Sequence, residues 1–253
     1  MKTASADLLC IAPHPDDAEI GLGATLRLLA DRGRRVWACD LTRGELGSNG
    51  TPAERWAEAQ EAAARLGLAG RLQLELPDGF INAHDPAQIA ATTAVIRLVR
   101  PRWIVTAPAP VRHPDHLATP LLVKKAAFMA RLTRVSPPRP AGRAWPAAWP
   151  EGDPARPWRC EAIFEVCPPG RTPSLLFEVT SAWTAKMEAL ACYRSQFEAA
   201  EGRRPTLIND AAFLAQVERV ARHWGFRAGV ELAEALRGDA APLLGDLPPD
   251  RWT

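Results

Sequence analysis

Short apolar runs alternate with longer helical patterns along most of this chain. Residues 8–12, 36–41, 72–76 and 103–107 are brief and apolar, as strands buried on both faces are. Between the first two, residues 19–32 place Ile20, Leu22, Leu26, Leu28 and Leu29 at helical spacing, with Gly33 suited to the C-terminal cap. Pro52 opens a second helical segment that Gly67 closes, and residues 87–99 form a third. A further helix is expected from His116 or Leu117 to about Arg131. This order predicts an α/β fold: a Rossmann-like, mainly parallel sheet with helices on both faces. Strands at 162–166 and 175–179 and helices at 182–193 and 211–224 are expected as C-terminal additions.

The 253 residues suit a single domain spanning 1–253. Residues 136–158 break the pattern. They are crowded with Pro and carry Trp145, Trp149 and Trp158, which predicts a surface excursion folded over the site or against another subunit. A homo-oligomer is the expected state. From Asp239 the chain is again Pro-rich and is expected to trail over the surface.

Several function classes are disfavoured by composition. The 31 basic and 29 acidic residues are interleaved, with no basic stripe for a nucleic acid. No run reaches the roughly 18 apolar residues of a membrane span, and the polar start lacks the features of a signal peptide. The five Cys include no C-x-x-C pair, and Cys10 and Cys39 lie inside strand-like runs. A cytoplasmic protein is expected. Cys160 and Cys167 would pair only in an oxidising compartment, to which nothing else points.

The chemistry is concentrated in two loops. The first strand runs into His14-Pro15-Asp16-Asp17-Ala18-Glu19, and the strand at 103–107 is followed by Arg112-His113-Pro114-Asp115-His116. Three of the five His fall here, the others being His84 and His223. Open parallel sheets bind ligands outside the carboxyl ends of their strands, where both loops are expected. A zinc ion takes about four N, O or S ligands, and a catalytic zinc keeps one position for water. His14 and Asp17, three apart where a loop turns into a helix, can converge on one point, and His116 can supply a third ligand. Asp16 is then a spare carboxylate beside that water, as a general base must be. His113, if protonated, would stabilise an oxyanion, with Asp115 orienting its ring. A single His-Pro-Asp is usually a capping turn. Two copies at strand ends, one with a doubled Asp, favour a cation, because loop carboxylates have little other reason to converge.

These two motifs together resemble the PIG-L/LmbE-like family of zinc-dependent N-deacetylases. Leu41-Thr42-Arg43-Gly44-Glu45-Leu46-Gly47, Leu76-Pro77-Asp78-Gly79-Phe80, Lys186-Met187-Glu188-Ala189, Tyr193-Arg194-Ser195-Gln196-Phe197 and Arg204-Pro205-Thr206 are similar to its N-acetylglucosaminyl-malate deacetylase branch, which serves bacillithiol biosynthesis. The resemblance spans roughly residues 7–234. It implies His14, Asp17 and His116 as zinc ligands, Asp16 as base and His113 as its electrostatic partner, in agreement with the ligand chemistry. It also suggests Arg43 and Arg112 for the carboxylates of the aglycone, since a guanidinium fork matches a carboxylate. A solvated loop residue (Arg43) and a partner for Asp115 (Arg112) are the plainer alternatives. Three departures put the aglycone in doubt. Val111 stands where an Asp commonly precedes the second motif, the 136–158 excursion is long, and 162–166 lacks a Tyr-rich run.

The expected function is therefore zinc-dependent removal of an acetyl group from an amino-sugar conjugate, N-acetylglucosaminyl-malate first, another N-acetylglucosaminyl conjugate or a chito-oligosaccharide second. Two His and one carboxylate also make the triad of a non-haem iron oxygenase, but the spare Asp16 and the α/β pattern argue against it. Gly21-Leu22-Gly23 followed by Asp40 imitates a dinucleotide fingerprint. Leu26 occupies the third glycine's position, and Asp16, Asp17 and Glu19 would repel a pyrophosphate. The glycines are expected instead to serve close helix–sheet packing.

Overall fold

The computed structural model describes residues 5–107, 113–146 and 149–238. In chain order these form β1 (Ala6–Ala12), α1 (Asp17–Asp31), β2 (Val36–Asp40), α2 (Pro52–Leu66), β3 (Gly70–Leu74), α3 (Pro86–Val99), β4 (Pro101–Thr106) and α4 (Pro114–Met129). There follow β5 (Gly142–Trp145), β6 (Ala162–Val166), β7 (Leu175–Glu178), α5 (Trp183–Ala191), α6 (Arg194–Phe197), α7 (Ala211–Ala228) and β8 (Ala233–Gly238). The eight strands make one sheet in the order β5-β3-β2-β1-β4-β6-β8-β7. The five central strands are parallel, while β5 on β3, and β8 on both β6 and β7, are antiparallel. This is the Rossmann-like sheet expected, with its additions at the edges.

The period-two geometry of strands explains the two cores. Leu9, Ile11, Cys39, Leu72, Leu74 and Ile104 face one side, under α3 and α4. Leu8, Cys10, Val36, Ala38, Val105 and Phe164 face the other, under α1, α2 and α5. Both faces are covered, which is why these strands are apolar throughout. The helices use the stops foreseen. Thr51 and Glu54 form a reciprocal capping box at α2, and Gly67 closes it at φ 67°. All five cysteines are unpaired.

Two expectations change, and a third is untested. Residues 136–158 are not a lid: they supply β5, and Trp158 and Trp149 pack into the α3–α4 core while Trp145 packs against the other. Buried Arg97 of α3 pins this stretch, donating to the carbonyls of Val135 (2.6 Å), Pro154 (2.9 Å) and Leu132 (2.7 Å). A strand at β8 was not foreseen. The tail from Asp239 lies outside the described residues.

The glycines of the dinucleotide-like run serve packing, as expected. A Cβ on Gly21 would stand 3.1 Å from Val166 of β6, and one on Gly23 2.9 Å from the Lys186 side chain. Asp40 is neutralised inside the protein, where the guanidinium of Arg71 meets it in two bonds of 2.8 and 2.7 Å and also reaches Glu19.

Candidate metal centre and active-site cleft

β1 and β4 are neighbours whose other partners, β2 and β6, lie on opposite sides, so a crevice opens beyond their carboxyl ends. Both His loops enter it. The carbonyl of Pro13 accepts from the Thr42 backbone N–H and hydroxyl, both at 3.0 Å, tying the loop after β1 to the loop after β2. α4 begins at Pro114, two residues before the expected start. Proline suits the first helical position, and the residue before it is biased to extended backbone. His113 is accordingly the N-cap, at φ −76° and ψ 131°, and His116 stands in the first turn.

The three proposed ligands meet. Asp17 Oδ2 lies 3.1 Å from His14 Nδ1 and 3.3 Å from His116 Nε2, and it accepts the His14 backbone N–H at 3.0 Å. Burial opposes ionisation of Asp17, but His116 and His14 hold it well below the usual carboxylate range. Two imidazole nitrogens and a carboxylate oxygen on one point form the donor set of a catalytic zinc site, and these three residues fit that ion. His14, His113 and Asp115 form a second cluster. Its Asp115 carboxylate is already occupied, accepting the backbone N–H groups of Gly79 (2.8 Å) and Ile81 (3.1 Å).

Asp16 is the N-cap of α1, with left-handed backbone (φ 97°), uncommon outside glycine. Its side chain makes no capping bond. It turns to Arg55 of α2, whose Nη2 lies 3.1 Å from Asp16 Oδ2 and donates to the Pro15 carbonyl at 2.6 Å. Burial pushes Asp16 up to about 7, against the pull of Arg55.

Asp115 differs from expectation. Its carboxylate orients the ring of His14 rather than that of His113: Oδ2 lies 3.0 Å from His14 Nε2. Asp78 Oδ1 flanks the same nitrogen at 3.1 Å. Burial opposes protonation of His14, but Asp115, Asp17 and Asp78 push it up to about 12. These two carboxylates leave Nδ1 of His14 toward Asp17, the arrangement by which an outer carboxylate selects the ligating nitrogen. His113 Nδ1 instead accepts the Asp115 backbone N–H at 3.3 Å. An accepting Nδ1 carries no proton, so the ring's donor is Nε2–H. Burial and the nearby His14 lower the His113 pKa. A neutral donor replaces the protonated ring expected from the sequence.

His14, Asp16, Asp17, His113 and His116 line one cavity of about 890 Å³. Arg43 does not line it: its Nε is 3.9 Å from Glu45 Oε2. Arg112 lies outside the described residues. Arg55 and Asp78 were missed as site residues. Arg55 is four residues before Ala59 on the buried face of α2, a signal that was readable. Asp78 was legible as the centre of a turn and as part of the Leu76–Phe80 family marker, with no role attached.

The PIG-L family, described as GlcNAc-PI de-N-acetylase, matches residues 9–127. A conserved protein from Thermus thermophilus superposes with a TM-score of 0.80 and 32% identity, over 98% of this chain and 100% of its own. The 1D-myo-inositol 2-acetamido-2-deoxy-alpha-D-glucopyranoside deacetylase of Nocardia farcinica is 26% identical, over 84% of this chain and 88% of its own. A Bacillus cereus relative named for N-acetyl-alpha-D-glucosaminyl L-malate deacetylation is 33% identical, over 44% of this chain and 56% of its own. Sequence, fold and motif placement together make this chain a member of the PIG-L family, a hydrolase of amide carbon–nitrogen bonds.

Proposed function

We propose that this protein removes the acetyl group from an N-acetylglucosaminyl conjugate, with zinc held by His14, Asp17 and His116. The observation that carries the reading is the convergence of those three donors beside a carboxylate, Asp16, that they leave free. Zinc bound there would polarise the amide carbonyl and lower the pKa of water. Asp16 takes the proton of the attacking water and returns it to the departing amine. Arg55 holds one oxygen of Asp16, which fixes the direction of the other. His113 offers Nε2–H to the oxyanion of the tetrahedral intermediate. Asp115 and Asp78 keep the His14 ring in place.

The relatives named above share the acetylated amino sugar and differ in what it is attached to. Acetyl is therefore taken as the acyl group, and the aglycone as the variable part. The branch markers are similar to those of malate-conjugate deacetylases, but Val111, the 136–158 stretch and the 162–166 strand depart from that branch. The two arginines invoked for it lend little, one lying off the cleft and the other outside the described residues.

The test is amine release from N-acetylglucosaminyl-malate, chitobiose and plain N-acetylglucosamine, with zinc content measured on the same preparations. Asp16→Asn should retain zinc and lose about 100- to 10,000-fold in rate, the usual cost of a lost general base. A zinc-replete Asp16→Asn turning over near the wild-type rate would sink the mechanism. Release must persist without dioxygen; dependence on it would favour the iron oxygenase.

A further inference from the structure

The cleft continues past the metal donors along an apolar wall that the chemistry of deacetylation does not use. Val166 at the end of β6, Leu207, and Phe213, Val217, Val220 and Trp224 of α7 line this part of the same cavity. We propose that this wall is the aglycone subsite and that it takes an uncharged hydrocarbon group joined to the N-acetylglucosaminyl unit. The proposal rests on the deacetylase reading, with acetyl as the acyl group.

Size comes first. Pockets of roughly 300–1,000 Å³ hold drug-sized ligands, so a cavity of about 890 Å³ has room beyond one amino sugar. Charge then selects the occupant. Among the described residues lining the cavity, the cations other than the proposed zinc ligands are Arg55 and Lys186. Arg55 is engaged by Asp16 and by the carbonyls of Gly44 and Pro15. Lys186 is engaged by Glu234 at 2.6 Å and by the Ile20 carbonyl at 2.8 Å. Asp16 and Glu234 are the anions of those two pairs, so neither cation is left to meet a carboxylate on the aglycone. Leu46 and Leu207, 65% and 62% exposed, extend the apolar lining to the mouth beside exposed Ser48 and Gln216.

The experiment compares the methyl, malyl and octyl glycosides of N-acetylglucosamine, by amine release and by calorimetric binding to the zinc-loaded Asp16→Asn protein. The octyl glycoside should bind about tenfold or more tighter than the methyl, since burying a few methylenes at about 0.8 kcal/mol each exceeds the 1.4 kcal/mol of a tenfold step. Phe213→Ala and Val220→Ala should each shrink the octyl-to-methyl ratio, whereas merely structural damage would weaken both ligands and leave the ratio standing. A malyl glycoside that binds or reacts better than the octyl overturns the proposal. So does a preference for methyl N-octanoylglucosaminide over the N-acetyl compound, which would assign the wall to the acyl chain. Aglycone-dependent binding without amine release from any glycoside would uphold the subsite and discard the deacetylase reading. Amine release with an unchanged ratio in both variants would do the reverse.

Discussion

Two carboxylates on one imidazole set the character of the proposed zinc site. His14 has a single Nε2, flanked by Asp115 at 3.0 Å and Asp78 at 3.1 Å, while its Nδ1 faces Asp17. Each residue should therefore make a graded contribution to metal binding. His116→Ala removes one of three donors and should abolish most bound zinc, measured by elemental analysis after gel filtration. Full occupancy in that variant would remove His116 from the ligand set. Asp78→Asn leaves all three donors and should weaken zinc about 10- to 100-fold, the usual cost of losing an outer partner, measured by competition with a chelator. An unchanged zinc affinity in Asp78→Asn, with the fold intact, would show that Asp115 alone orients the ring.

Among the elements, α5, α1 and β8 are joined by a buried ion pair. Lys186 of α5 passes Gly23 of α1, where any side chain would meet it at 2.9 Å, and ends on Glu234 of β8. Glu234 also accepts the Thr25 backbone N–H at 2.7 Å. Both side chains are nearly fully buried. Breaking such a pair leaves an uncompensated charge and costs about 3–5 kcal/mol. Lys186→Met should lower the urea midpoint accordingly, and Lys186→Met with Glu234→Gln should recover most of the loss. Equal stability of the single and double variants would mean that Glu234 is not charged in the single variant.

Among the described residues, α4 carries an exposed apolar face. α4 is apolar on both sides: Leu122, Val123 and Ala126 are buried under the sheet, while Leu117, Leu121 and Phe128 are 49%, 45% and 57% exposed. The homo-oligomer expected from the sequence is proposed to form across this face. Phe128→Glu should shift sedimentation toward the monomer at micromolar concentration with the thermal midpoint of the isolated chain preserved. A wild-type protein that sediments as a monomer would dismiss the idea. No helix among the described residues is long and apolar enough to cross a membrane.

What the sequence determined by itself was whatever depends on local pattern. Five apolar strands, their helices and the stops at Gly33 and Gly67 follow from periodicity and backbone freedom, and the placement of both His motifs follows from where strands end. The convergence of His14, Asp17 and His116 was legible because two loops at one sheet edge have little choice. Tertiary structure decided the rest. Ala233–Gly238 reads Ala-Glu-Ala-Leu-Arg-Gly, a helix-forming composition, yet it is a strand because it fills the gap between β6 and β7 and satisfies the backbone groups of both. The 136–158 stretch carries no strand pattern, and β5 exists because β3 offered an open edge and Arg97 held the flanking carbonyls. The contacts made by His14 and Asp16 were not encoded locally, although the buried position of Arg55 on its helix was. Asp78, 64 residues from His14 in sequence, and Arg55, 39 from Asp16, meet them only after the loops pack, and no local pattern encodes a contact between loops.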